Sequence, residues 1–570
     1  MPGLAARRCS FLALWLILST APVHSTPDTA DFSWHKIVPS EELIWHECYS
    51  SGHQCARLKV PLDYASTDGV SAAIALRRIR SVVPHDSDEY RGPILANPGG
   101  PGASGVDFIG MAGERIAAVV GPEFDVVGFD PRGISRSTPR SSFFETRAEQ
   151  NAFWSSEVTS MSANSSDDAL ARMWAQGMLL GRLAGERDEG SLWFMNTDYT
   201  ARDMLRLVQA HGRDKIQYWG FSYGSVLGAT FAAMFPDKVG RLVIDAVMDA
   251  EDYYAGEFSN NLIDTDKVWS AFLNECVAAG PTRCPIYAPT AAEIQTIVDG
   301  LYASLRKRPI PVRTPTSYGI VDYSVMRNVI FMSFYRPYAS FPTLAQALAD
   351  LKAGNATGLY KMFEKLQFKC SCEADELLFE NVIDGGVAVQ CNDGKRLSQE
   401  FDAFEMHYRN LLARSSWADM WMHARQGCMT WPEFPKTNFR GPFVANTSFP
   451  LLLVGNTVDP VTPLWAANKM SKGFAGSVVL TQDSIGHGSP AAPSLCTQKH
   501  IRRYFREGVL PKVGTVCSTD GGPFDGPLPG GDEEEVVFDV DFGAEERVLL
   551  EAVRELAREW DVKVPFGLAE

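Results

Sequence analysis

Three residues of this sequence occur in the order and surroundings that catalysis by a serine nucleophile requires. Ser222 is the centre of Gly-Phe-Ser-Tyr-Gly, Asp459 follows a late apolar run, and His487 lies between two glycines. A serine hydroxyl is a poor nucleophile until a base takes its proton, and an acid must hold that base in one tautomer. The order serine, acid, histidine is typical of a serine on a strand–turn–helix elbow. We therefore predict that these three residues form a catalytic triad.

The segment around Ser222 predicts such an elbow. A short apolar run ends in the Gly-Phe-Ser-Tyr-Gly motif, and a helical pattern follows from Val226 to about Phe235. Gly220 and Gly224 leave room for a strand and a helix to approach across a sharp turn, with the serine hydroxyl at its tip. The motif alone is also compatible with an ordinary glycine and serine turn. Its position between a strand and a helix favours the catalytic interpretation.

A glycine-rich loop earlier in the chain predicts where the reaction stabilises negative charge. A buried-strand pattern at residues 92–97 runs directly into Pro-Gly-Gly-Pro-Gly at residues 98–102. Such a loop can present bare backbone N–H groups to an anion. Phosphate is disfavoured because the loop lacks a Gly-Lys-Ser/Thr ending. We predict instead an oxyanion hole formed by Gly99, Gly100 and the N–H of Tyr223.

Two aspartates compete for the role of the acid. Asp245 ends the strand after the elbow helix, and some hydrolases take their acid from that position. The residues after Asp245 are apolar, as in a continuing core, whereas Asp459 is followed by Pro460, which turns the chain outward. The stretch between Asp459 and His487 leaves room for a helix and a strand, the crossover that places both on neighbouring strand ends. The sequence therefore favours Asp459.

The elements that must position these residues alternate between strands and helices. Continuously apolar runs indicate parallel strands that are covered on both faces. They occupy residues 92–97, 124–130, 241–245, 449–456 and 477–480. An amphipathic helix at residues 199–211 leads into the strand before Ser222. This alternation predicts an α/β chain with a mostly parallel, doubly wound sheet.

A helix-rich stretch with many aromatic residues interrupts the alternation. Any one of these aromatic residues is more often part of a core than of a binding surface. An insertion after the sixth strand would lie above the elbow, so we interpret the stretch as a lid that shapes the substrate cavity. The predicted divisions are a signal peptide at 1–25, a sheet domain in two parts at 26–250 and 448–519, the lid at 251–447, and an acidic linker with an appended helix at 520–570.

The N-terminus and the composition indicate an exported protein. Arg7 and Arg8 precede a short apolar run, and small residues precede Thr26, as in a secretory signal peptide. A membrane anchor needs roughly 20 apolar residues, more than this run or any later stretch provides. With 53 Lys and Arg against 69 Asp and Glu, the net charge of −16 disfavours nucleic-acid binding. We expect a secreted, extracellular protein with no membrane or nucleic-acid partner.

Cysteine usage agrees with export. The sequence has 11 cysteines, and all but Cys9 follow the predicted signal peptide, which leaves an even number for disulfides. Spacing alone leaves the connectivity open, and Cys370 and Cys372 could bind other partners. Zinc is the competing interpretation, but no paired Cys-x-x-Cys or His-x-x-x-His spacing occurs. The close spacings favour Cys48–Cys55, Cys276–Cys284 and Cys496–Cys517.

Three Asn-x-Ser/Thr sequons suggest a glycoprotein. They begin at Asn164, Asn355 and Asn446.

Several motifs occur together and in a specific order. They are Asn-Pro-Gly-Gly-Pro-Gly at 97–102, Gly-Phe-Asp-Pro-Arg-Gly at 128–133, Gly-Phe-Ser-Tyr-Gly at 220–224, Asp-Pro-Val-Thr-Pro at 459–463 and Gly-His-Gly at 486–488. With them, the chain from about Cys55 to Cys517 resembles the secreted tripeptidyl aminopeptidase-like branch of the proline iminopeptidase family. Pro98 is a departure, since intracellular relatives carry His there. Cys391 and Cys428 resemble a lid cysteine pair of this branch.

The resemblance implies an α/β-hydrolase fold and a serine exopeptidase that releases tripeptides, N-terminal proline or other short peptides from free N-termini. Catalysis would pass through an acyl-enzyme and would need no cofactor and no metal. A secreted carboxylesterase of the same fold is the alternative. A non-catalytic binding module is disfavoured, because Ser222 and His487 are both present.

An aminopeptidase also needs a carboxylate that binds the ammonium group of its substrate, whereas an esterase does not. The lid offers several candidates among which the sequence does not choose. They are Glu251, Asp252, Glu257, Asp264, Asp266, Glu373, Asp375 and Glu376.

Overall fold

A sheet of 10 strands organises the computed structural model, which describes residues 32–66, 69–156, 161–364, 381–435, 437–525 and 543–560. The strands are β1 (His46–Glu47), β2 (His53–Pro61), β3 (Ser71–Ile79), β4 (Gly92–Asn97), β5 (Phe124–Phe129), β6 (Ile216–Phe221), β7 (Val239–Asp245), β8 (Ile310–Arg313), β9 (Tyr318–Val321), β10 (Leu452–Val458), β11 (Val478–Ile485) and β12 (Val516–Ser518). The order in the sheet is β1-β2-β3-β5-β4-β6-β7-β10-β11-β12, and β8 pairs with β9 in a separate hairpin.

Parallel pairing dominates the sheet. Every neighbouring pair from β5 to β12 is parallel, and β1, β2 and β3 extend one edge with antiparallel pairs. Because parallel strands end at the same edge, the carboxyl ends of β4, β6, β7, β10 and β11 lie side by side. The predicted mostly parallel α/β sheet is confirmed.

Two cores cover the two faces of the sheet. Leu95 and Val127 belong to one hydrophobic cluster, whereas the preceding residues in each strand, Ile94 and Val126, belong to another. Side chains alternate between faces along a strand, so helices shield both faces. Outside the lid these helices are Gly105–Val120, Arg147–Trp154, Ala169–Glu186, Thr197–Ala210, Tyr223–Met234, Leu464–Met470, Leu495–Glu507 and Ala544–Glu559.

The segment that we interpreted as a lid, and call the lid below, lies between β7 and β10. It follows the seventh strand in chain order, because the two-residue β1 precedes the strands that the sequence predicted. Its helices are Ala250–Ala255, Thr265–Arg283, Ala291–Lys307, Tyr323–Ser333, Pro337–Lys352, Thr357–Glu364, Val382–Asp393, Phe401–Leu412 and His423–Gln426. Aromatic residues such as Phe272, Phe334 and Trp417 are buried in the lid core, as expected for single aromatics.

Four disulfides cross-link the described chain. They are Cys48–Cys55, Cys276–Cys284, Cys391–Cys428 and Cys496–Cys517. The three pairs predicted from spacing and the lid pair implied by the resemblance are confirmed. Disulfides persist in oxidising compartments, so they indicate an extracytoplasmic location. The predicted signal peptide, Cys370 and Cys372 lie outside the described residues.

No helix among the described residues combines the length and the apolar character that a membrane crossing demands.

Candidate active site

Ser222 lies at the tip of a strained turn between β6 and the helix Tyr223–Met234. Its φ of 56° and ψ of −122° form a backbone conformation that residues with a side chain rarely adopt. The N–H of Ser222 donates to the carbonyl of Asp245 at 3.1 Å, and its carbonyl accepts the hydroxyl of Ser225 at 2.5 Å. These contacts hold the turn from both sides. The predicted strand–turn–helix arrangement is therefore present, with the serine at its tip.

The two glycines that flank the serine permit the close approach of strand and helix. A β-carbon on Gly220 would lie 2.4 Å from the carbonyl oxygen of Gly224. A β-carbon on Gly224 would lie 2.8 Å from the carbonyl oxygen of Asn97 in β4. Since both distances are well inside van der Waals contact, a methyl group at either position would push these elements apart.

Asp459 follows β10 and holds the imidazole of His487. Its two carboxylate oxygens lie 3.0 and 3.1 Å from Nδ1 of His487. The same carboxylate accepts backbone N–H groups from Val461, Thr462 and Gly488, at distances of 3.0, 2.8 and 3.0 Å. The three backbone N–H groups fix the carboxylate of Asp459 in place. Because a carboxylate only accepts hydrogen bonds, the ring nitrogen that faces it, Nδ1, must carry the proton. The other ring nitrogen, Nε2, is then the one that can accept a proton.

Nε2 of His487 is buried and has no hydrogen-bond partner within the described parts of the chain. Leaving a buried polar atom unpaired costs about 1–3 kcal/mol, which makes such an atom a candidate for binding or catalysis. The loop that carries it is fixed by Asn456, whose side-chain amide donates to the carbonyls of Gly486 and Gly488 at 2.8 and 2.7 Å. The ring is therefore held on one side and free for chemistry on the other.

Asp245, the competing acid, makes its contacts elsewhere. Its carboxylate accepts the N–H and the hydroxyl of Ser489 at 2.9 and 2.5 Å, and the indole N–H of Trp219 at 3.4 Å. Burial raises the pKa of Asp245 to about 6. The contacts therefore agree with the choice of Asp459 as the acid beside the imidazole.

The lid contacts both the loop of His487 and the glycine-rich loop. The carbonyl of Tyr335 accepts the N–H of His487 at 3.0 Å, and the two rings lie edge to face with centroids 5.0 Å apart. On the other side, a β-carbon on Gly102 would meet the carbonyl oxygen of Val382 at 2.2 Å. Ser222 is 7% exposed and His487 is 1% exposed. The predicted nucleophile and base therefore lie beneath the lid.

The glycine-rich loop lies close to the elbow, but the N–H of Gly99 already has an acceptor. A β-carbon on Gly99 would lie 2.4 Å from the carbonyl oxygen of Phe221 and 3.0 Å from the nitrogen of Tyr223. The N–H of Gly99 donates to the side-chain oxygen of Asn97 at 3.0 Å. Gly99 therefore supplies close approach rather than an N–H donor, and Gly100 and Tyr223 remain the proposed oxyanion donors.

Five of the lid carboxylates considered for the substrate ammonium group lie in the described chain, and each has a partner there. Glu251 pairs with Lys469, Asp252 accepts from Asn260, Glu257 lies near Arg425, Asp264 pairs with Lys267, and Asp266 accepts from Ser416. Glu373, Asp375 and Glu376 lie outside the described residues. None of the five is an unengaged anion, so the geometry selects none of them.

Cys496, His500 and Cys517 are the group of possible metal ligands found among the described residues. The two sulfur atoms are joined in a disulfide and cannot act as thiolate ligands. This group therefore does not fit a metal site.

Two protein families match the chain, and each match contains part of the predicted triad. The family described as "alpha/beta hydrolase fold" matches residues 92–281, which include Ser222. The family described as "TAP-like protein" matches residues 414–517, which include Asp459 and His487. The chain is a TAP-like α/β-hydrolase.

Three relatives of this TAP-like α/β-hydrolase differ in their described activities. A tripeptidyl aminopeptidase of Streptomyces lividans is 28% identical, with 84% of this chain and 87% of that protein covered. Serine protease Hip1 of Mycobacterium bovis is 27% identical, with 84% and 91% covered. Carboxylesterase B of Mycobacterium tuberculosis is also 27% identical, with 82% and 86% covered. The chain is therefore a serine hydrolase of the TAP-like family, with peptides or esters as its class of substrate.

Sequence reasoning missed three residues that contact the loop of His487: Tyr335, Asn456 and Trp560. Asn456 had a usable signal, because a polar residue at the carboxyl end of a buried strand often lies at the site of an α/β sheet. Tyr335 and Trp560 carry no such signal, since one lies in the lid and the other follows the C-terminal helix.

Proposed function

We propose that this TAP-like α/β-hydrolase is a secreted serine exopeptidase that releases tripeptides, N-terminal proline or other short peptides from free N-termini. The observation that supports this proposal is the covered nucleophile. Ser222 is 7% exposed beneath a lid that contacts both neighbouring loops. A covered site accepts the end of a peptide more readily than the middle of a folded chain, which an endopeptidase must bind across an open cleft.

In the proposed reaction, Ser222 attacks the carbonyl carbon of the scissile peptide bond while Nε2 of His487 takes the hydroxyl proton. Asp459 keeps Nδ1–H in place and stabilises the imidazolium that forms. The N–H groups of Gly100 and Tyr223 bind the oxyanion of the tetrahedral intermediate. His487 then gives the proton to the departing amine, and the N-terminal fragment remains as an ester on Ser222. Water, deprotonated by the same imidazole, attacks this ester, and the imidazolium returns the proton to the Ser222 oxygen as the fragment leaves.

Secretion is part of the proposal. The basic residues Arg7 and Arg8 followed by a short apolar run are typical of a signal peptide. The four disulfides support folding in an oxidising compartment. Finding the mature N-terminus near Thr26 in the culture medium of an expressing cell would test this part.

A panel of chromogenic substrates tests the activity. Ala-Ala-Pro, Pro and single aminoacyl p-nitroanilides are compared with a free and with an acetylated N-terminus, with Ser222→Ala as the inactive control. We expect turnover of the free substrates and at least roughly 10²-fold slower turnover of the acetylated ones. An acetylated amine carries no positive charge, so it would leave the carboxylate that binds the ammonium group without its partner. Equal turnover of free and acetylated substrates would contradict the exopeptidase assignment.

A secreted carboxylesterase is the second candidate. It is favoured by the engagement of all five described lid carboxylates, because an ester substrate requires no carboxylate for an ammonium group. The same panel therefore includes p-nitrophenyl esters. Hydrolysis of the esters without any of the amides would establish the esterase in place of the peptidase.

A further inference from the structure

The helix Ala544–Glu559, which we name the tail helix, packs against the sheet domain. Leu549, Val553 and Leu556 follow the spacing of a single helix face, and all three are buried. They share a hydrophobic core with the helix Gly105–Val120. The appended helix whose purpose the sequence left open is therefore an integral part of the domain surface.

Charged pairs on the tail helix accompany this apolar contact. Glu555 and Glu559 lie 3.2 and 2.7 Å from Arg115, and Glu545 lies 3.0 Å from Arg502. Exposed pairs of this kind contribute little stability individually. Acidic residues that face basic residues nevertheless restrict how the helix can dock, because a shifted register would separate the opposite charges.

Trp560 directly follows the tail helix and reaches the proposed catalytic residues. Its indole N–H donates to the backbone carbonyl of His487 at 3.1 Å. Its ring lies edge to face with the ring of Phe221, with centroids 4.8 Å apart, and Phe221 immediately precedes Ser222. Trp560 is 1% exposed. One side chain thus contacts both the strand of the nucleophile and the backbone of the base.

His487 is held by three separate segments of the chain. Asp459 binds its Nδ1, Tyr335 of the lid accepts its N–H, and Trp560 donates to its carbonyl. The backbone bonds to Tyr335 and Trp560 hold the two peptide units on either side of the α-carbon from which the imidazole extends. Without Trp560, the carbonyl would lose its indole donor and the ring of Phe221 would lose a packing neighbour.

We propose that Trp560 is a positioning residue, through which the tail helix holds His487 and the Ser222 turn in the geometry for proton transfer. This inference rests on the proposed roles of Ser222 and His487. The tail helix and Trp560 lie outside the TAP-like match, which covers residues 414–517.

Trp560→Phe in the full-length chain tests the inference, because phenylalanine keeps an aromatic ring and removes the N–H. The matched control is Trp174→Phe, which removes an indole N–H that donates to the carbonyl of Gln399 at 3.0 Å, away from the site. The readout is labelling of Ser222 by a fluorophosphonate, measured both as a rate constant and as a final stoichiometry. Steady-state kcat, expressed per labelled site, and KM are measured with the best substrate of the panel.

We expect Trp560→Phe to lower the labelling rate constant and kcat by roughly 2- to 10-fold, as for the loss of one hydrogen bond, with KM and stoichiometry unchanged. Trp560→Ala, which also removes the ring, should lower them by about 10²-fold. Trp174→Phe should match the wild type. A merely structural role would lower the stoichiometry through unfolding and leave the rate constant of the labelled fraction unaltered.

The proposed function and the Trp560 inference fail in different ways. Wild-type labelling at Ser222 with an unchanged rate constant in Trp560→Phe would overturn the inference alone. Absence of labelling at Ser222 in the wild type would overturn both. Labelling at Ser222 combined with ester rather than peptide turnover would revise the substrate class and leave the Trp560 comparison fully valid.

Discussion

The hydroxyl of Ser489 donates to the carboxylate of Asp245 across 2.5 Å, and its backbone N–H donates to the same carboxylate at 2.9 Å. The backbone carbonyl of Asp245 also accepts the N–H of Ser222 at 3.1 Å. Asp245 thus joins the turn of the predicted nucleophile to the loop that follows His487. In this arrangement Asp245 braces the two segments, and Asp459 orients the imidazole.

This division of roles predicts different effects for two matched substitutions. Asp459→Asn should lower kcat by roughly 10⁴-fold, because an amide can donate to Nδ1 and so stabilise the wrong tautomer of His487. Asp245→Asn should instead lower the free energy of unfolding by about 1–3 kcal/mol, since an amide nitrogen cannot accept from Ser489. The kcat per titrated active site measures the first effect, and urea unfolding measures the second. Loss of activity in Asp245→Asn without destabilisation, together with near wild-type turnover in Asp459→Asn, would reverse the assignment.

The choice between these aspartates was possible from sequence because it depends on local signals. Pro460 marks where a strand ends and the chain turns outward, and parallel strand ends meet at one edge of the sheet. The pairing of Cys48 with Cys55 is predictable for a similar reason, since few residues separate the two cysteines. Order along the chain and short spacing are properties of the sequence itself.

Other features depend on how distant segments pack, and the sequence does not reveal them. Tyr335 and Trp560 meet at His487 although one lies in the lid and the other near the C-terminus. The N–H of Gly99 was predicted as an oxyanion donor, but the side chain of Asn97 lies close enough to accept it. The hairpin β8–β9 was missed because Pro311 within β8 argues against a strand.

The strained backbone of Ser222 predicts that glycine at this position gives a more stable protein than alanine does. Its φ of 56° is strained for serine and alanine but accessible to glycine. Ser222→Gly should therefore be about 1 kcal/mol more stable than Ser222→Ala in urea unfolding, with both variants inactive. The control is Ser270 on an exposed face of a lid helix, where the order should reverse because glycine is a poorer helix former than alanine. Equal stability of the two Ser222 variants would argue against strain at the turn.

The approach of Gly99 to the elbow predicts a steric effect on catalysis. A β-carbon there would lie 2.4 Å from the carbonyl oxygen of Phe221, so Gly99→Ala should displace the proposed oxyanion donors and lower kcat by roughly 10²- to 10³-fold. Gly190→Ala is the matched control, since Gly190 also has a positive φ but its β-carbon would have no neighbour within 4 Å. Both variants should lose stability through backbone strain, and only the first should lose kcat per titrated site. Equal kcat values for the two variants would remove Gly99 from the proposed site.

Asp384 is a buried carboxyl group on the lid helix that packs against the glycine-rich loop. Asp384 belongs to the helix Val382–Asp393, and its carboxylate oxygens accept the side-chain amide of Gln150 and the indole N–H of Trp154, each at 2.9 Å. Burial raises the pKa of Asp384 to about 7, although these donors oppose the shift. The folded chain therefore keeps this proton at pH values where the unfolded chain has released it.

The raised pKa of Asp384 predicts a loss of stability as the pH increases. Its contribution is complete below about pH 4 and is lost as the pH rises toward 7, because only the folded state binds the proton in that range. Asp384→Asn cannot ionise, so the free energy of unfolding of the wild type should fall relative to this variant by about 2–3 kcal/mol between about pH 5 and about pH 7.5. Urea unfolding of both proteins at the two pH values measures this difference. Asp299→Asn, on an exposed surface of another lid helix, should follow the wild type at both pH values. If the difference between wild type and Asp384→Asn did not change with pH, Asp384 would already be ionised in the folded chain at about pH 5, and its burial would be balanced by Gln150 and Trp154.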